Sequence, residues 1–310
     1  MIRTVGNLVV AFDCEWIPDP NAARLLFPEA AALNDARARD VLWAANGATE
    51  AEPHPFVRLM QSRVVSIAMV RRAAPKNPGE APTLELIWLP GDPENPRSRQ
   101  EANIISPFLT AIGKRSPQLV GFNSKHSDLR ILAQRAVALG IPAKGFLHRP
   151  PKPWEGSDYF ARDNDCSVDL MELLTAGGSG RAGAVSLHEA AALSGIPGKF
   201  DTHGDAVLDL WLAGRFRDIV EYNCFDALTT YLLWLRMAWV SGHFANDEYE
   251  QEQECLRQML MHQVEEKGLD FLERYLNEWD RLTSLKERLC ALAAAEGRPP
   301  LPTQPKGTPA

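Results

Sequence analysis

The chain is short of the features that mark several large protein classes. Its five cysteines (Cys14, Cys166, Cys224, Cys255 and Cys290) contain no C-x-x-C pair, which argues against a zinc ribbon and offers no disulfide framework. No apolar run approaches the roughly 18 residues that a membrane-spanning helix needs. Met1 to Asn7 leads straight into a short strand-like stretch, so no secretory leader is expected. A cytoplasmic protein with reduced thiols and no membrane association is expected. Excess basic charge is also missing: 33 Lys and Arg stand against 40 Asp and Glu, a net of −7. Taken whole, that balance speaks against a polyanionic partner. It is unevenly spread, with −2 on residues 1–240 and −5 on residues 241–310. The stretch 114–152 holds eight basic residues and a single acid, Asp128.

What is present is ordinary for a globular protein: 45% hydrophobic and 24% charged residues in 310, enough for one large domain or two small ones. Leu8–Phe12 is an apolar run of strand type that is expected to end at Asp13. Residues 19–60 form a long insertion, Ala- and Leu-rich, that predicts one or two helices after Pro20. Arg63–Arg71 and Thr83–Leu89 alternate in polarity and make a hairpin-like pair of strands. Further on, a helix over 98–114, a strand at Leu119–Phe122 and a helix from Ser124 to Leu139, stopped by Gly140, are expected. The stretch 145–165 reads as an exposed loop. Ser186-x-x-Glu189 is a capping box that opens a helix, and Phe216–Val240 predicts a long apolar one. Strands first in a meander, then alternating with helices, imply an α/β or α+β mixed sheet. Acidic helical stretches fill 241–296, and 297–310, with five prolines, reads as a disordered tail.

Three short segments carry chemistry. In Phe12-Asp13-Cys14-Glu15-Trp16 the two acids lie at i and i+2 of an extended chain, so their side chains share a side. Paired carboxylates repel unless a cation sits between them, and hard oxygen donors favour Mg²⁺ or Mn²⁺. In Asn123-Ser124-Lys125-His126-Ser127-Asp128 an acid stands in the first turn of a helix, where it also complements the helix dipole. In Tyr222-Asn223-Cys224-Phe225-Asp226 the tyrosine and the aspartate are four apart and share a helix face. Asp226 lies among core-type residues, where a carboxylate is costly unless it is paired or metal-bound.

In this order the segments resemble the motifs of the DEDD exonuclease superfamily, the proofreading-type nucleases with a ribonuclease H-like fold. The nearest likeness is to a bacterial family of predicted 3′–5′ exonucleases related to the exonuclease domain of family-B DNA polymerases. It spans about Leu8 to Arg236, with Gly121-Phe122-Asn123-Ser124, Asp169-Leu170-Met171 and Gly195-Ile196-Pro197-Gly198-Lys199 among its pieces. The resemblance implies an α/β, ribonuclease H-like mixed sheet, a three-strand antiparallel meander plus parallel strands, flanked by helices. The catalytic domain would occupy 1–240 and be followed by a helical extension.

The resemblance further implies that Asp13, Glu15, Asp128 and Asp226 bind two divalent metal ions, with Tyr222 as the motif tyrosine. Glu221 stands five residues before Asp226, where the histidine subtype would place its histidine. Ser127 and Trp16 depart from the usual pattern without removing a ligand. The implied activity is release of 5′-mononucleotides from the 3′ end of DNA, single-stranded or frayed, with DNA ranked ahead of RNA. An exoribonuclease and a catalytically silent nucleic-acid-binding or polymerase accessory module are the alternatives, and a polymerase or repair partner would act in trans. Phe12 and Trp16 are candidates for stacking on the terminal base, with core packing the other reading of both and the preferred one for Phe12. Asn123 and Lys199 are candidates for backbone contacts, with capping of the following helix the other reading of Asn123.

Overall fold

β1 runs from Leu8 to Pro18 and is buried on both faces over its first half. Val9 and Ala11 enter one hydrophobic core, whereas Val10, Phe12 and Cys14 enter another. This explains the unbroken apolar run, since a central strand covered on both sides has no polar alternation. The strand does not end at Asp13, as the sequence suggested, so Asp13 and Glu15 sit within it. The computed structural model describes residues 2–77, 79–152, 155–161, 164–176, 183–198 and 206–296.

β2 (Ser62–Ala73) and β3 (Thr83–Leu89) complete an antiparallel meander with β1. β4 (Gln118–Gly121) and β5 (Ser167–Asp169) add parallel strands, giving the order β3-β2-β1-β4-β5. The insertion forms α1 (Pro20–Leu26) and α2 (Asp35–Ala45) around a small core of Ala23, Ala38, Leu42 and Val57. α3 (Glu101–Arg115) and α4 (Asp128–Leu139) cover the Phe12 face of the sheet. α4 ends at Gly140 in a left-handed conformation (φ 64°), as its sequence predicts.

Then come α5 (Lys144–Leu147), α6 (Leu170–Thr175), α7 (Leu187–Leu193) and α8 (Val207–Leu212). The Ser186–Glu189 capping box forms as expected. The stretch 145–165 is less exposed than its composition implied. Phe146 and Tyr159 are buried in it, and the Tyr159 hydroxyl donates to the Pro117 carbonyl at 2.9 Å. The Pro-rich tail falls outside the described residues.

α9 (Phe216–Val240) is buried all round from Tyr222 to Leu235, because the sheet covers one side and the C-terminal helices the other. Those helices, α10 (Asn246–Lys267) and α11 (Asp270–Ala295), place Tyr249, Leu256, Tyr275 and Trp279 in the same core as α9 and the sheet. Arg72 of β2 and Glu252 of α10 form a buried ion pair, and the Tyr231 hydroxyl of α9 donates to the same carboxylate at 2.7 Å. The acidic extension is therefore packed against the domain.

Candidate active site

Alternation along β1 turns Asp13 and Glu15 toward α9, on the same face as Ala11. The register shifts between Glu15 and Trp16, where Val65 is an extra residue on β2. This bulge lets Val65 pack with Ile17, Ile219 and Tyr222 beneath the acids. Asp226 comes down from α9 to meet them. One carboxylate oxygen from each of Asp13, Glu15 and Asp226 lies within 4.8 Å of the others. Glu15 and Asp226 are buried and Asp13 is half-buried. The Ser66 hydroxyl, across the ladder from Glu15, is buried with no hydrogen-bond partner among the described residues.

Asp128 is not part of that triplet but adjoins it. β4 stops at Gly121, so β1 continues beyond its parallel neighbour. Asp128 fills the gap: its carboxylate accepts the Cys14 amide at 2.9 Å, between Asp13 and Glu15 in sequence. Its second oxygen accepts the Ser127 hydroxyl at 2.7 Å. Burial pushes the Asp128 carboxyl up to about 6, against the downward pull of these hydrogen bonds. Tyr222 stands one turn before Asp226 on α9, with that carboxylate in its electrostatic range. Burial first, then the charges of Asp226, Glu15 and Asp13, drive its pKa far above the ordinary value, so the phenol stays protonated at neutral pH.

Of the other candidate contact residues, Phe12 is in the core, 1% exposed and packed on Phe108 at 5.4 Å. It has no free face for a base, because it lies on the opposite side of the strand from Asp13. Trp16 is half-buried and packs on the same side as Phe12, away from the carboxylate triplet. Asn123 does not cap α4, which begins only at Asp128. Instead Asn123 is in the left-handed region (φ 60°), and its carbonyl accepts the Ser127 hydroxyl at 2.7 Å. Lys199 lies outside the described residues.

Sequence reasoning passed over Asp169 except as part of the resemblance. Its buried carboxylate accepts the amides of Asn123 (2.9 Å) and Lys125 (3.0 Å) in the loop that leads to Asp128. It also accepts those of Met171 and Glu172, capping α6. An acid immediately before a short helix was the only local signal.

Much of the basic stretch 114–152 is committed away from the carboxylates. Arg135 is buried against Glu101 and Asp19, Lys125 pairs with Glu172, and Arg149 with Asp158. Lys114 and Arg115 precede β4, at the opposite end of that strand from Asp128.

Residues 54–279 match the family described as "predicted 3′-5′ exonuclease related to the exonuclease domain of PolB", 226 of 310 residues. The chain belongs to this family. The matched region contains Asp128, Tyr222 and Asp226 and begins after Asp13 and Glu15. Among solved structures, the family B DNA polymerase from the archaeon Pyrobaculum calidifontis aligns at 18% identity and a TM-score of 0.43. The alignment covers 75% of this chain and 24% of the polymerase chain. A search of curated proteins gives no match. The sheet is mixed, three strands antiparallel and two joined in parallel with helices on both faces, the architecture that the resemblance implied. No helix among the described residues is long and apolar enough to cross a membrane.

Proposed function

We propose that the protein is a metal-dependent 3′–5′ exonuclease that removes 5′-mononucleotides from single-stranded or frayed DNA ends. The observation that carries this reading is the convergence of Asp13, Glu15 and Asp226 within 4.8 Å, from two elements far apart in sequence. The donor set is all oxygen and all carboxylate, which fits Mg²⁺ or Mn²⁺ and fits soft metals poorly. When bound, such cations acidify a water and neutralise charge on the leaving 3′-oxygen.

The chain's own residues divide the remaining work. Asp13 would serve both ions. Glu15 and Asp226 would complete one ion site, and Asp128 would serve the other, held in place by the Cys14 amide. Tyr222 keeps its proton, so it is a hydrogen-bond donor that orients the attacking water and not a general base. Asn123, whose side-chain amide makes no hydrogen bond among the described residues, and Lys199 are candidates for holding the strand. The catalytic unit is assigned to 1–240, with 241–296 as its helical support.

The test is digestion of 3′- and 5′-labelled single- and double-stranded DNA and RNA with Mg²⁺, Mn²⁺ or EDTA. Wild-type protein should release mononucleotides from 3′ ends only with metal, and Asp13→Ala and Asp226→Ala should abolish release while remaining folded. Tyr222→Phe should slow release and keep metal binding. Full activity in both alanine variants would remove the site, and a preference for RNA would reassign the substrate.

A further inference from the structure

Arg39, on α2 of the insertion, is only 4% exposed, and it makes no hydrogen bond or ion pair among the described residues. Its Nε is fully buried and has no partner among the described residues. Two carboxylates that act on it are committed elsewhere. Asp35 receives Arg24 at 2.6 Å, and Asp19 receives Arg135 at 2.9 Å and the Asn21 amide at 3.0 Å. Arg63 and Arg24, which also act on it, are cations themselves. Burial lowers the pKa of Arg39, the signature of a guanidinium short of anions. Burying a charge without a partner is costly, so a position of this kind is expected to meet an anion from outside.

Arg63 supplies the second half of the arrangement. It pairs with Ile17 in the β1–β2 ladder, two residues beyond Glu15, which is about 7 Å along the strand. Its guanidinium lies over the Trp211 ring at 5.1 Å, which fixes its plane. Among the described residues its only hydrogen bond is a long one, 3.4 Å to the Arg99 carbonyl, and its Nε is buried without a partner. The insertion is anchored beside this point: Asn46 of α2 donates to Gln61 at 2.8 Å, and the Asp19 amide donates to the Gln61 carbonyl at 2.9 Å.

We propose that Arg39 and Arg63 form a clamp for a backbone phosphate of the nucleic-acid strand whose 3′ end lies at the carboxylate site. This rests on the exonuclease reading. The clamp holds a phosphate next to the one being cut, since it stands about two strand residues away from Glu15. Guanidinium groups suit this because their planar forks match phosphate oxygens in bidentate fashion. The insertion thereby contributes to substrate grip as well as to packing.

The experiment measures binding of a fluorescent single-stranded oligodeoxynucleotide in EDTA, across salt concentrations, for wild type, Arg39→Gln and Arg63→Gln. Each substitution should weaken binding roughly tenfold. Each should also reduce the slope of log K against log salt by about 0.7, the value for one phosphate contact on a single strand. The melting temperature of Arg39→Gln should stay level or rise, because an uncompensated buried charge has been removed, whereas a purely structural arginine would lower it. If Arg39→Gln does not fold, Arg63→Gln decides alone.

Unchanged affinity and slope in the folded variants, or no oligonucleotide binding by the wild type, would overturn the clamp. Hydrolysis by the wild type in Mg²⁺ reports separately on the carboxylate site. Hydrolysis with unaltered slopes removes only the clamp, and altered slopes without hydrolysis remove only the nuclease reading.

Discussion

At the residue scale, the chemistry of the site is set by what surrounds each carboxylate. Asp128 is the clearest case. Its pKa, pushed up to about 6 by burial, lies above that of the unfolded chain, so between about pH 4 and pH 6 the metal-free folded protein holds a proton that the unfolded chain has released. This contribution to stability is present below that window and lost as pH rises through it. Metal binding has the opposite dependence, because a ligating carboxylate must be ionised. Mg²⁺ affinity should therefore be about tenfold weaker at pH 5 than at pH 7.5 and level above 7, with about one proton released per protein at pH 5. Calorimetry in buffers of different ionisation enthalpy reads both quantities, and a pH-independent affinity would exclude Asp128 as a ligand. Phe12 shows the same dependence on environment from the apolar side. Its type suited base stacking, but strand alternation and Phe108 commit it to the core.

At the element scale, what matters is how separate pieces of chain are brought to one stretch of β1. Asp13 and Glu15 were legible in the sequence because a period of two is local. The role of Asp169 was not, because its hydrogen-bond partners in the 123–125 loop lie 44 to 46 residues away. Four amides converge on that one carboxylate and fix the loop from which α4 starts. Asp169→Ala should cost roughly 3 kcal/mol or more, since several buried donors lose their acceptor together. Asp169→Asn should cost less but not nothing, because its NH₂ would face the Lys125 amide. Chemical denaturation of the two variants checks the order. If Asp169→Ala is as stable as wild type, the loop is held by something else. The bulge at Val65 belongs to this scale too, and no residue pattern announced it.

At the scale of the whole molecule, the C-terminal extension is part of the core that supports the site. α9 carries Tyr222 and Asp226 on its sheet side and packs on α10 and α11 on the other. The Arg72–Glu252 pair joins β2 to α10 in the interior, with Tyr231 as the third member. Glu252→Ala should destabilise the protein by roughly 3–5 kcal/mol, because Arg72 would be left buried without its anion. Replacing both partners, as in Arg72→Met with Glu252→Leu, should recover most of that loss. Thermal melts of the single and double variants test this. A single variant no less stable than the double would mean that the extension is only loosely attached.

The sequence by itself determined the order and kind of most elements, the family resemblance, and four acids and a tyrosine whose motif spacing marked them as a set. These signals are carried by neighbours within one or two turns or strand steps, which is the range over which periodicity and capping act. The tertiary structure alone decided that Asp128 pairs with the Cys14 amide, 114 residues away. It alone decided that four of the eight basic residues of 114–152 are held in ion pairs, and that Arg39 is buried without one among the described residues. Net charge and composition average over positions, whereas burial and pairing depend on which distant groups the fold places within a few ångströms.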